Sequence, residues 1–393
     1  MASNIIKGFR FLGFLPFYIV SSTMLFTACD PAVSSSVLDA DEPFSLNVAP
    51  DLTFPITFSP AIGIEQTGSL TRALDPLKDT PELFKTFGAS VLWHRPSISP
   101  STTNCYYLNN VTVKRPEDGV LWRTEPSAYW PTVGTLDFFM YAPTKSEDTS
   151  IEAVCPVTGL PVMRYTPEPV DLANQLDFCM AEPVYGCTVD DYGPSGVPAT
   201  FRHTLTNVEF YVNYTGNIPS TYNVYLDEIT VEDVIGSKTV TWTDSEPYFQ
   251  WQADSECTTD ASYTLFRLQS HLKNEVLPSV NSSPAGSPVQ NSAGRLYLLP
   301  QTLQEGEDCA RLHVVYGFYY GTMPNATLIT PFDKYIDLPT TEWPADKTVR
   351  YHVTINVGES SEITLSCEIL PFTDAQVLTD GGNGSFNNPS IYY

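Results

Sequence analysis

The chain of 393 residues carries a formal net charge of -25, with 45 acidic against 20 basic residues, and this balance excludes a partner recognised through its phosphates, nucleic acid above all. Its length exceeds what one hydrophobic core ordinarily organises, so two domains are expected. Only 17% of residues are charged while 33 are proline, which favours a strand-rich, loop-rich extracellular fold over a helical one.

The chain opens with Lys7 and Arg10 ahead of an apolar run to Ala28, directly followed by Cys29. This pattern reads as a secretory signal over residues 1–28 ending in a lipobox-like site, with Phe26 where a bacterial lipobox usually has Leu. Acylation of Cys29 would tether the chain to a membrane, and two or more acyl chains make such anchoring stable. Between Arg10 and Arg72 no basic residue occurs, although Asp30, Asp39, Asp41, Glu42, Asp51 and Glu65 fall in the interval. A trypsin-like protease meets its first site of the exported chain at Arg72-Ala73.

Strand periodicity dominates from there on. Leu52, Phe54, Ile56 and Phe58 alternate and predict one half-buried strand; Val208, Phe210, Val212 and Tyr214 predict a second. Val314, Tyr316, Phe318 and Tyr320 predict a third, and Val349 to Val357 a fourth. Only residues 79–88 and 263–276 read as short helices. Many short strands between Pro, Gly and Asn clusters make the fold all-β, with antiparallel sandwiches the expected architecture. The turn-rich stretch from Tyr214 to Asn223 marks the expected boundary, giving domains at 73–216 and 217–393 after a segment 29–72 that holds the first strand.

Chemistry-bearing patterns are scarce. Of eight cysteines, Cys179 and Cys187 are close enough in sequence for a local disulfide, and Cys367, on one face of an alternating strand, is expected to be a buried thiol. No Cys-x-x-Cys or Cys/His pair has metal-site spacing and the five histidines are scattered, so neither a metal nor a cofactor is expected. His203, beside a strong strand, reads as a histidine satisfied by backbone rather than as a general base. Asp190 and Asp191 form an adjacent carboxylate pair in a Gly/Pro loop and would have to carry any hydrolase chemistry, a distant third reading.

Four blocks in order, Ala128 to Pro143, Leu176 to Pro183, Thr200 to Val212 and Thr341 to Val357, resemble the Bacteroidales fimbrillin family of type V pilus subunits and related lipoproteins. The resemblance implies two transthyretin-like antiparallel β-sandwich domains in tandem, exported as a lipoprotein to the outer membrane and displayed at the cell surface in a fimbrium. It further implies that an Arg-specific protease cuts at Arg72-Ala73, withdrawing the plug strand of Leu52, Phe54, Ile56 and Phe58. The opened groove would take a strand donated by another pilus subunit, with the C-terminal tail the family-consistent donor. Adhesion to a host or bacterial surface protein or glycan would follow. The competing reading is a non-polymerising outer-membrane lipoprotein that binds glycans through exposed aromatics such as Tyr106-Tyr107, Tyr319-Tyr320 or Tyr392-Tyr393 on a sandwich face.

Overall fold

A computed structural model describes residues 50–62, 75–76, 86–96, 104–116, 121–144, 151–168, 172, 175–267, 279–280, 287–288, 296–303, 309–323, 325–339, 341–357 and 362–372. Cys29, Arg72, Ala73, Tyr392 and Tyr393 lie outside these residues. The first half contains β1 (Pro50–Pro55), β2 (Thr57–Ile62), β3 (Asp75–Pro76), β4 (Thr86–His94), β5 (Tyr106–Lys114), β6 (Trp122–Glu125), β7 (Tyr129–Pro131) and β8 (Thr135–Ala142). It continues through β9 (Ile151–Val154), β10 (Val162–Tyr165), β11 (Cys179–Ala181), β12 (Val184–Cys187), the single helical turn α1 (Val189–Tyr192) and β13 (Val197–His203).

Pairing in this half closes on itself. The hydrogen-bonded path runs β11, β13, β2, β6, β5, β4, β8 and back to β11, with β12 and β3 attached outside it. Closure removes the free edges that an open sheet would expose. Alternation then sorts the side chains: Leu136, Phe138, Met140 and Ala142 of β8 join the inner cluster with Phe58, Phe87, Val197 and Phe201. Phe139 and Tyr141 point the other way, into a cluster with Met163, Tyr165, Trp242 and Phe249 of the sheet that overlies β8. Burial on both faces explains why the β8 sequence is apolar without interruption by charge except at Asp137.

The second half contains β14 (Thr206–Thr215), β15 (Tyr222–Val234), β16 (Lys238–Trp242), β17 (Phe249–Trp251), β18 (Ala261–Arg267), β19 (Ser279–Val280) and β20 (Ser287–Pro288). After these come β21 (Tyr297–Leu298), β22 (Gln301–Thr302), β23 (Arg311–Tyr320), β24 (Thr327–Asp337), β25 (Glu342–Trp343), β26 (Lys347–Asn356) and β27 (Ile363–Pro371). One sheet runs β20, β14, β26, β27 with β21 also on β14; the other runs β18, β15, β23, β24 with β19 on β15. Val208, Phe210, Val212, Val349, Tyr351 and Val353 of the first meet Leu226, Ile229, Val231, Val314 and Tyr316 of the second in one core. Two sheets sharing a core in this way form a sandwich.

Several expectations change. Residues 206–215, assigned from sequence to the first domain, lie with the second core, because β14 pairs over its whole length with β26. The chain does not change core once, since Val240, Trp242 and Phe249, beyond the Tyr214–Asn223 turn, pack with Phe139, Tyr141 and Met163, and β16 pairs with β10. The expected helix at 263–276 begins as strand, since Tyr263 to Arg267 belong to β18, and the end of the 79–88 helix is the start of β4. In both places burial within a sheet overrides local propensity. Tyr320 ends its alternating run exposed, and Cys367 is half-buried on β27 rather than fully enclosed.

Candidate functional site

The plug segment divides at Pro55. β1 pairs with β7, and Phe54 is 43% exposed, whereas Ile56 and Phe58 are 1% and 0% exposed. The buried face is thus shifted downstream of the one read from the sequence: Ile56, Phe58 and Pro60 point inward and Phe54 does not. Proline fixes the break, since Pro55, the last residue of β1, cannot donate a ladder hydrogen bond, and β2 begins at Thr57.

β2 sits between strands from distant parts of the sequence. Along one edge it runs parallel to β13, with Phe58 opposite Val197 and Ile62 opposite Phe201. Along the other edge β6 takes only Thr57 and Phe58, and β3 takes only Ala61 and Ile62. The gap between those two pairings falls at Ser59 and Pro60, where proline has no N–H to leave unpaired. Just upstream, the Ile56 N–H donates to the Ala128 carbonyl at 2.8 Å.

Phe58 is the anchor. Its ring meets Phe87 edge-on at 5.5 Å and Phe138 at 5.9 Å, and Phe87 in turn contacts Trp122 and Phe201. Aromatic pairs in this geometry add about 0.5–1.5 kcal/mol each beyond the area they bury. Gly196, at φ +76°, lets β13 come close: a Cβ there would lie 3.1 Å from the Phe58 carbonyl carbon. The seat is not fully satisfied, because the buried Thr57 hydroxyl has no hydrogen-bond partner among the described residues. Sequence periodicity missed Gly196, Pro60 and Ala61, since none of these three carries an apolar alternation signal, yet all lie at the seat.

The other candidates resolve as follows. Cys179 and Cys187 are both buried and are not joined in a disulfide. Cys179 lies opposite Ala142 at one end of β8 and Cys187 opposite Leu136 towards the other, roughly 20 Å apart at strand rise, far beyond disulfide reach. Burial beside Asp137 and Asp191 pushes the Cys187 thiol up to about 12. Asp191 accepts hydrogen bonds from the Thr188 N–H and hydroxyl at 2.8 and 2.7 Å, which hold its carboxyl below the usual range and use it as a helix cap. His203 is hydrogen-bonded to the Asp177 carboxylate. Of the aromatic pairs, Tyr107 is buried with its hydroxyl donated to the Tyr129 carbonyl, and Tyr319 is buried with its hydroxyl on Asp227.

No curated protein matches the chain. The architecture is similar to that of a fimbrial protein from Bacteroides vulgatus ATCC 8482, at TM-score 0.61 and 15% identity over 81% of this chain and all of that one. Weaker likeness extends to a protein assigned to cell adhesion from Bacteroides ovatus ATCC 8483, at TM-score 0.43 and 13% identity over 81% of this chain and 98% of that one. The tip fimbrial protein Mfa3 from Porphyromonas gingivalis matches at TM-score 0.31 and 9% identity over 81% of this chain and 99% of that one. Residues 90–371, well over half of the sequence, match the fimbrillin-like family model, and the protein belongs to the fimbrillin-like family.

Proposed function

We propose that this chain is the precursor of a fimbrial subunit whose N-terminal strand is withdrawn and replaced by a strand from another subunit. Family membership supports a structural, cell-surface role in a fimbrium, without enzymatic chemistry. The observation that carries the finer reading is the seat of β2, a strand that completes a closed ring while standing in sequence just before Arg72. Arg72-Ala73 falls in the connection between Ile62 and Asp75, so a cut there separates β2 from β3 and from every later strand.

Withdrawing β2 uncovers the Ile56 and Phe58 sites, about 1.5–3 kcal/mol each, together with the open β13 edge. That total of about 3–6 kcal/mol of exposed groove is recovered by any strand offering apolar residues at alternate positions, with backbone ladders supplying affinity and pockets supplying specificity. Donation from one subunit into the next is heterologous and extends into a filament when its rotation does not close. In this reading residues 1–28 direct export, Cys29 carries the lipid that holds the precursor at the outer membrane, and residues 29–72 are released by an Arg-specific protease.

The test is N-terminal sequencing and intact mass of wild-type and Arg72→Ala protein from membrane and sheared surface fractions. Sheared wild-type protein is expected to begin at Ala73, and the variant to stay membrane-bound with an acylated Cys29. Entry of the Arg72→Ala chain into filaments with residues 29–72 intact would overturn the reading.

A further inference from the structure

Outside the β2 seat, three side chains with metal-ligating chemistry converge where the ring closes. β11 and β13 are antiparallel, with Cys179 directly opposite His203, and Asp177 lies two positions before Cys179, just ahead of β11. The Cys179 Sγ lies 3.4 Å from Asp177 Oδ2 and 3.8 Å from His203 Nδ1, and that nitrogen is itself hydrogen-bonded to Asp177 Oδ2. All three donor atoms fall within 4.8 Å of one another. The site is enclosed: the Asp177 and His203 side chains are 9% and 8% exposed, and Cys179 is 1% exposed.

Two features separate this cluster from a catalytic arrangement. A nucleophilic Cys–His–Asp relay uses the two ring nitrogens for different partners, whereas here thiol and carboxylate both face Nδ1. Donor atoms that point at one another, rather than along a chain, are what a shared ion requires. Second, Asp177 Oδ1 is buried with no hydrogen-bond partner among the described residues, an arrangement that costs stability unless something occupies that side.

We propose that Asp177, Cys179 and His203 form a binding site for a single thiophilic divalent cation of the zinc class. One thiolate, one imidazole and one carboxylate match the borderline-soft preference of such an ion, and hard cations such as calcium or magnesium would reject the sulfur. The two anionic ligands neutralise a dication, so the ion is held without residual buried charge. Asp177 can bind through both oxygens, bringing Oδ1 into use and closing a four-coordinate shell from three residues. Entry of the ion releases the Cys179 thiol proton to solvent and replaces the hydrogen bond between His203 and Asp177, the ring proton of His203 moving from Nδ1 to Nε2 so that Nδ1 can bind.

The position gives the ion a structural task. β11 is three residues long and is the strand that joins β8 to β13, so a metal here staples the shortest link of the ring. The His203 ring also stacks on Phe372, at 4.0 Å, just beyond the end of β27, and Phe372 stacks in turn near Tyr297. Loading the site would therefore stiffen the place where the last described strand of the second half rests on the first.

The test uses the full chain, stripped with a chelator and titrated with Co²⁺ as a spectroscopic probe. One equivalent is expected to give a near-ultraviolet sulfur-to-cobalt band with tetrahedral visible bands, displaced by Zn²⁺, and Zn²⁺ is expected to raise Tm. Cys179→Ser should abolish the near-ultraviolet band and the Tm rise, while Cys187→Ser, at another buried thiol, keeps both. Asp177→Asn, of the same shape with one charge fewer, should weaken cobalt binding by at least about tenfold. Absence of the band in the wild-type chain overturns the proposal whether or not the variants fold; so does a band that survives Cys179→Ser or an unchanged affinity in Asp177→Asn.

Discussion

Each half of the molecule seats an early strand parallel to a late one, but the two seats are built differently. β14 lies along β26 over ten residue pairs, β2 along β13 over five. Side chains also tie β14 down: Glu209 accepts two hydrogen bonds from Arg350 at 3.0 and 2.9 Å, Asn213 accepts from Thr354 at 2.7 Å, and Asn207 donates to Thr348 at 3.2 Å. β2 is held by its backbone and by the buried Ile56 and Phe58, with the Thr57 hydroxyl left without a partner among the described residues. Polar cross-strand ties demand one particular sequence, whereas apolar pockets and a backbone ladder accept any strand of the right alternation. Parallel pairing of an early strand with a late one thus serves permanence in one half and, as we propose, replacement in the other.

The sharpest way to break this comparison is to empty the Phe58 pocket. Phe58→Ala is expected to destabilise the first half by about 3–5 kcal/mol, read as a denaturant midpoint shift, and to accelerate amide exchange in β2 well ahead of β14. Equal acceleration in both strands would mean that the two seats are not independent. Alkaline pH supplies an effect common to both halves. Burial raises the tyrosine hydroxyls of Tyr107 in the ring and Tyr316 in the sandwich to about 12. An acid whose folded value lies above its unfolded value near 10 keeps its proton better when folded, so its contribution is complete below pH 10 and is lost as pH rises towards 12. Each tyrosine then costs at most about 1.4 kcal/mol per pH unit in that window. Absorbance of tyrosinate and far-UV dichroism should therefore change together above pH 10, and ionisation of all tyrosines with the fold intact would refute the enclosure of these two rings.

Alternation along the chain made β26 legible because its two faces differ: Val349, Tyr351, Val353 and Ile355 alternate with half-buried polar residues and pack as expected. The ring was harder to read. β8 and β11 are buried on both faces, which erases period-two contrast, and closure through a three-residue strand leaves almost no sequence signature. The Tyr263–Arg267 segment carried helical spacing that pairing with β15 overrode. Within the β2 seat, Phe58 was visible as an apolar residue in a run, but the face was placed two residues early because Pro55 was counted as part of one strand. The Asp177, Cys179 and His203 cluster was invisible for a different reason: antiparallel register, not sequence spacing, brings residues 24 positions apart into contact.

A smaller perturbation acts on the approach of β13 to β2. Gly196 has a positive φ, and an added methyl would press on the Phe58 backbone at 3.1 Å, so Gly196→Ala is expected to cost about 1–3 kcal/mol and to loosen β2 selectively. Restored stability after removal of residues 29–72 would place that strain at the β2 contact, because the methyl then has no backbone to meet. Persisting destabilisation would instead locate it in the turn itself.

The smallest expected effect has the opposite sign and is the most direct probe of a replaceable strand. Thr57→Val keeps the shape of a buried side chain and deletes a hydroxyl with no partner among the described residues. Leaving such a group buried costs about 1–3 kcal/mol, so the variant should be more stable by about 1 kcal/mol once imperfect packing is allowed for. A gain confined to β2 lowers its rate of withdrawal by about fivefold if the strand leaves intact. Slower assembly by a more stable precursor would tie the unsatisfied hydroxyl to exchange, because a residue that mattered only for folding would speed accumulation of filaments instead.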